Sequence, residues 1–388
     1  MSSVASPSAA PGERFIIDAR YVDPKPSGIG RYVEGLIERL PLLAPDARFE
    51  LWTHRDRPRP VSFPNVICTP VPAPADGLRT LLAPRSLGRI EPDQVIHFPF
   101  SLLAPQLPCP SVVTIHDLMW LEQPQLVDAR PLIRRVRQRY YQQGMRWAMR
   151  HATRIIAVSE ATASRIRAVS PQSAGRIVVT HNAVDARFEA SRNPAAAAAR
   201  AHAVIGSAAP YYLVVGKNEP YKAHELAITA FARAAASDEL LVLIQRTGSG
   251  ERLTKLAESL GVADRLRFVP NVALADLVSL LQSARALIQP SLVEGFGIPV
   301  LEAMACGCPV VTSDTPALVE VVGGAGLHAA VGDAAALAVA VRRLKEPGLR
   351  DQLVGRSLVR ARDFDWEQTA RTTLAVYREA ATMSGRRG

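Results

Sequence analysis

Much is missing from this 388-residue chain, and each absence removes a class of protein. No run of about 18 apolar residues occurs, the length a helix needs to cross a bilayer, so no membrane-spanning helix is expected. The opening MSSVASPSAAPGER lacks the charged and apolar regions of a signal peptide, which predicts a cytoplasmic protein with a loose N-terminus over residues 1–13. Cysteine is scarce: Cys68, Cys109, Cys306 and Cys308 have no metal-ligand spacing and read as small packing residues in a reducing compartment. Acidic residues vanish between Ala129 and Ser159, while Arg130, Arg134, Arg135, Arg137, Arg139, Arg146, Arg150 and Arg154 all fall inside.

Part of the formal charge of +10 is therefore local. Ile133, Val136, Tyr140 and Trp147 recur at helical spacing among these arginines, the pattern of a basic amphipathic helix. Such a helix can rest on an anionic membrane surface through Arg134, Arg135, Arg137 and Arg139, or it can be a surface helix whose stripe is core. Nucleic acid is not expected, because no recognised binding motif accompanies the charge.

The hydrophobic content of 48% can fill substantial cores, and short β-branched runs alternate with helical stretches, as in parallel sheets covered by helices. In the first half the strands are expected at 15–18, 49–53, 65–69, 95–98, 112–116, 154–159 and 176–180. In the second half they are expected at 211–216, 240–245, 266–269, 286–290 and 308–313. An alanine-rich link at 191–209 divides an N-terminal domain, 14–190, from a C-terminal one, 210–365, and a last helix occupies 366–388. Both domains read as Rossmann-like and doubly wound, so ligands should bind in the cleft at the carboxyl ends of their strands.

The most informative stretch is EGFGIPVLEAMACGCPVVTSD, residues 294–314. Pro299 suits the first helical position and Gly307 the end of a helix of about two turns, so the glycine turn opens onto a helix N-terminus, whose unpaired backbone N–H groups and dipole suit phosphate. Glu294 and Glu302 repel phosphate and should instead take hydroxyl groups on either side of it. A sugar nucleotide has that layout; the alternative is an ordinary strand-loop-helix unit. Lys217 and Lys222 follow the strand YYLVVG and can neutralise a diphosphate leaving group, or be solvated loop lysines. His116 and Asp117 end the strand VVTI, which makes His116 the chemistry candidate of the first half, or a satisfied structural histidine. Gly28 and Gly30 precede a helix, but Val33 breaks the dinucleotide fingerprint, which argues against a nicotinamide site. Asp363 and Asp365 form a D-x-D that reads as a helix cap, and no bound metal is expected.

Taken together, SGIGRY, TIHDL, IIAVSEATASRI, HNAVD, VGKNEPYK and EGFGIPVLE resemble the retaining glycosyltransferases of family four, from about Phe15 to the last helix. The resemblance implies the GT-B fold, two Rossmann-like domains facing across a cleft with the final helix crossing back to the first. It implies that Glu294 and the backbone of Phe296 and Gly297 hold the donor sugar, with Val300 and Leu301 beside them. It assigns Glu302 to the ribose, Lys222 to the diphosphate, Gly28 to the phosphates and acceptor, and His116 to the transferred sugar. Lys217 stands where the family usually has arginine, and Gln245 and Arg246 stand where it commonly has glycine. The implied reaction moves a sugar from a nucleotide diphosphate to a hydroxyl of a saccharide or lipid-linked acceptor, without cofactor. GDP-mannose is the favoured donor and a UDP-sugar the alternative. An epimerase, a hydrolase or a non-catalytic sugar-nucleotide binder are further alternatives.

Overall fold

The computed structural model describes residues 12–22, 27–54, 61–71, 75, 89–127, 131–245 and 250–384, without the side chains of 131–133 and 384. Arg130, Arg246, the Ile133 side chain and residues 1–11 of the expected loose terminus lie outside the described residues. Seven strands build the first sheet: β1 (Arg14–Asp18), β2 (Arg48–His54), β3 (Val66–Val71), β4 (Val95–Phe98), β5 (Ser111–Ile115), β6 (Arg154–Ala157) and β7 (Ile177–Val179). All pairs are parallel, in the order β3-β2-β1-β4-β5-β6-β7. Six strands build the second: β8 (Tyr211–Val215), β9 (Leu240–Gln245), β10 (Leu266–Pro270), β11 (Ala286–Gln289), β12 (Val310–Ser313) and β13 (Leu327–Ala329). Their order is β10-β9-β8-β11-β12-β13, again parallel.

Strand order reverses between β1 and β4 in one sheet and between β8 and β11 in the other, which are the switch points where such sheets bind ligands. The central strands are apolar on both faces because helices cover both, as the fully buried patterns of β5, β9, β11 and β12 show. The alanine-rich stretch forms the helix Pro194–Ile205, capped by Asn193, and buries Ala197, Ala201 and Ile205. It packs in the core that holds Tyr211, Leu213 and Leu287, so it belongs structurally to the second half.

Asp365 caps the final helix, Trp366–Ser384, by accepting from Gln368 N at 3.1 Å, while Asp363 pairs with Arg360. Trp366, Ala370, Leu374 and Tyr377 of that helix lie in one core with Phe15, Ile17 and Tyr32 of the first half, as the resemblance implied. A buried polar chain pins it there: Tyr377 Oη lies 2.6 Å from His97 Nδ1, and His97 Nε2 lies 2.8 Å from Thr114 Oγ1. Trp366 also fits only because residue 35 is glycine; a Cβ there would lie 2.5 Å from its ring.

The basic helix spans Pro131–His151, but its buried face is Tyr141, Met145, Ala148 and Met149. Two members of the stripe read from the sequence are exposed instead, Val136 at 72% and Trp147 at 40%. Among the described residues no helix is long and apolar enough to cross a membrane.

Candidate active site

The segment 294–307 folds as its residues dictate. Gly297 takes φ +104°, open to glycine, and the helix Ile298–Ala305 follows, with Pro299 as its second residue. The helix ends in a Schellman motif, with Gly307 at φ +72°, its N–H on Met304 O and that of Cys308 on Ala303 O. Pro299 has no N–H, and those of Val300 and Leu301 bond to Gly297 O at 2.9 and 3.2 Å. The helix therefore offers the cleft its dipole more than a set of open N–H groups. Val300 and Leu301 send their side chains into the second core, and the Phe296 ring is also buried there.

Glu294 is held by three donors on one oxygen. Lys222 Nζ lies 2.6 Å from Oε1, Ser291 Oγ 2.7 Å and Gln289 Nε2 2.9 Å, so three donors converge on that oxygen in a mostly buried position. Lys222 gets there on a short 3₁₀ turn after β8, tied to the Glu294 loop by Leu292 N donating to Tyr221 O at 2.8 Å. Lys217, on the same loop, is exposed. Glu302, 3% exposed, pairs with Arg31 of the helix Gly28–Ile37 in the first half. Ser27 caps that helix by accepting from Gly30 N at 3.0 Å, and Gly28 sits against Ile298, 3.6 Å from where a Cβ would stand.

His116 immediately follows β5 and donates through Nε2 to Pro99 O at 2.9 Å, which fixes the tautomer because a carbonyl only accepts. Desolvation lowers its pKa to about 4, so the ring is neutral near pH 7. Its carbonyl oxygen packs on Gly295 so closely that a Cβ at residue 295 would lie 1.7 Å away. Asp117 adjoins the same contact; its burial, and then the nearby Glu294, raise its pKa, while Met119 N, Arg165 and Lys222 act the other way. The structure thus brings His116 and Asp117 of one half to the Lys222–Glu294 pair of the other, and Gly28 and Arg31 to the helix that carries Glu302. Arg134, Arg135, Arg137 and Arg139 lie apart on the basic helix, with Arg137 over the Trp120 ring.

Three contributors escaped the sequence reading. Gln289 and Ser291 orient Glu294, and polar residues at the end of an apolar strand were a signal for them. Arg31 had none beyond its place one turn inside the SGIGRY helix.

Two family models match the chain: Glycosyltransferase Family 4 over residues 26–188 and Glycosyl transferases group 1 over residues 196–355. An O-antigen chain mannosyltransferase B from Escherichia coli is 30% identical over 273 residues, 69% of this chain and 70% of that protein. A D-inositol 3-phosphate glycosyltransferase from Acidothermus cellulolyticus is 37% identical over 43% of this chain, and the match spans only 40% of that protein's length. Among solved structures, sucrose-phosphate synthase from Thermosynechococcus elongatus superposes with a TM-score of 0.74 at 20% identity, covering 95% of this chain and 98% of that one. The fold, the two matched models and the mannosyltransferase relative together establish that this chain belongs to the group 1, family 4 glycosyltransferases of GT-B fold.

Proposed function

We propose that the protein is a retaining hexosyltransferase that moves mannose from GDP-mannose to a hydroxyl of a saccharide or lipid-linked saccharide in envelope polysaccharide or glycolipid synthesis. One observation carries the reading: the Lys222–Glu294 pair stands at the switch point of one sheet, and Gly295 beside it packs on the His116 carbonyl at the end of a strand of the other. Glu294 would accept from a sugar hydroxyl. Lys222, with Lys217 at the mouth and the dipole of the helix at Ile298, would stabilise the diphosphate as it leaves. A ribose on Glu302 would take the place of Arg31, whose guanidinium is then released beside the same helix. His116, neutral and enclosed, suits a hydrogen bond to the transferred sugar better than a charge. Neither glutamate is placed as a nucleophile, so retention is read as reaction on the front face, with the leaving phosphate accepting the acceptor's proton. We read the transfer as independent of metal ions and cofactors, and the protein as cytoplasmic.

The exposed Val136 and Trp147, among Arg135, Arg139, Arg146 and Arg150, suit a peripheral seat on an anionic lipid surface and so a lipid-linked acceptor. Salt-sensitive binding to anionic vesicles that persists after neutralising Arg134, Arg135, Arg137 and Arg139 together with Arg146 and Arg150 would remove the helix from this role. The transfer itself is tested by supplying GDP-mannose, UDP-glucose or other sugar nucleotides with candidate acceptors, then reading nucleotide release and the anomeric configuration by NMR. Transfer from GDP-mannose with an α product from the α donor is expected. Free sugar without any acceptor requirement would favour a hydrolase, and preference for a UDP-sugar would overturn the choice of base.

A further inference from the structure

Glu320 stands on the helix Pro316–Val322 of the second half, yet its carboxylate ends on the backbone of the first. Oε1 accepts from Glu160 N at 2.7 Å and from His181 Nε2 at 2.8 Å, and Oε2 accepts from Ala161 N at 2.8 Å. Those two amides are the first of the helix Glu160–Val169, whose unpaired N–H groups and dipole favour an anion. Burial alone would raise the Glu320 pKa, but the bonds from His181, Ala161 and Glu160 outweigh it and hold it low.

The other side of the same helix end grips the catalytic turn. Ser159 Oγ, which accepts from Thr162 N at 3.0 Å, donates to Gly295 O at 2.7 Å, and Thr162 Oγ1 donates to that oxygen at 3.2 Å. Gly295 adjoins Glu294 and packs on the His116 carbonyl. The bonds from Glu320 to Glu160 and Ala161, and those onto Gly295, cross between halves, so they do not help either half fold alone. Glu320 and His181 are also partly exposed, at 20% and 42%, so water competes for the hydrogen bond between them and the contact can open and re-form.

We propose that Glu320 is a positioning residue for sugar transfer, a latch that closes the two halves so that the helix at Glu160 holds the Glu294–Gly295 turn against His116. The proposal rests on reading Glu294 and His116 as the transfer site, and its test separates the two. Small-angle scattering of the ligand-free wild type, Glu320→Ala and Glu320→Asp reads closure with no substrate present. Titration with GDP and UDP reads the donor pocket, and turnover of GDP-mannose and UDP-glucose reads transfer. Glu320→Ala should increase the radius of gyration and lower kcat at least about ten-fold, the scale on which misplacing a reacting group costs rate. Nucleotide affinity and donor KM should stay within about three-fold, and Glu320→Asp should recover part of both losses. If the alanine variant does not fold, Glu320→Gln, which keeps the shape but loses the charge, should show a smaller opening and a smaller fall in kcat. Wild-type scattering in every folded variant, or nucleotide affinity lost in parallel with kcat, overturns the latch. A wild type that binds no nucleotide contradicts the donor site instead, and scattering still decides the latch.

Discussion

Glu302 is the most constrained single residue of the site, because it is 3% exposed and already paired with Arg31. A ribose on it must match that pairing with hydrogen bonds to a buried charge. Glu302→Ala is therefore expected to weaken nucleotide binding by roughly 1.5–3 kcal/mol, the usual worth of bonds to a charged group. Arg31 is partly exposed and can turn to water, so the variant should stay folded. Calorimetric titration of folded Glu302→Ala checks this, and unchanged affinity would show that Glu302 is not the ribose ligand. Glu294 illustrates a different point at this scale. Its partners Lys222 and Ser291 lie far and near in sequence, and only the fold reveals that both meet on one oxygen.

Among the elements, the final helix does most to join the ends of the chain. Its Trp366 ring lies 2.5 Å from the site of a Cβ on Gly35, and Trp366 is itself 6% exposed and has no room to retreat. Gly35→Ala should cost on the order of 1–3 kcal/mol of stability, the usual penalty for overpacking a filled core. Urea unfolding would show it, and a variant as stable as the wild type would mean that the helix shifts freely. The helix Pro131–His151 carries a different lesson. Periodicity located it correctly, but Val136 and Trp147 of the expected stripe face outward, and Tyr140 packs only at the edge of the core that buries Tyr141, Met145, Ala148 and Met149 with Trp120. Two apolar stripes fit one helical period there, and only the neighbouring elements decide between them. β13 was not expected at all, since three residues, Leu327–Ala329, after the glycines at 323, 324 and 326 are too short for alternation to register.

For the whole molecule, both sheets were legible because fully buried parallel strands must be apolar throughout, and the ends of β5, β8 and β11 followed from that. Pairings across the cleft were not. Arg31 with Glu302, and Glu320 with Glu160, join residues more than 150 positions apart, and nothing local in either sequence neighbourhood requires them. The crossing of the last helix was implied by the resemblance alone.

Burial also sets how the molecule as a whole answers to acid. Desolvation lowers His97 to about 3, and His116 and His224 to about 4, from 6.5. His97 lies between Tyr377 and Thr114, and His224 Nδ1 accepts from Gln245 Nε2 at 2.9 Å, so neither gains a proton easily. Between 6.5 and about 4 the unfolded chain binds protons that the folded one does not, so stability falls as pH falls through this window. His97 and His224 should each contribute about 1.4 kcal/mol per pH unit there, and His116 adds to the slope. Urea midpoints measured from pH 7.5 to 5 should stay flat at first and then drop; constant midpoints to pH 5 would contradict the neutral state of these rings in the folded protein.

A working sugar-nucleotide site at the turn from Glu294 to Glu302, closed by His116, must bind a nucleoside diphosphate. Calorimetric titration of the purified protein with GDP, UDP and ADP, with and without chelator, tests it most directly. GDP should bind tightly, and chelator should not change its affinity. Binding of none of the three would contradict it, and loss of binding on chelation would contradict a site whose positive charge comes from Lys222 and the helix at Ile298.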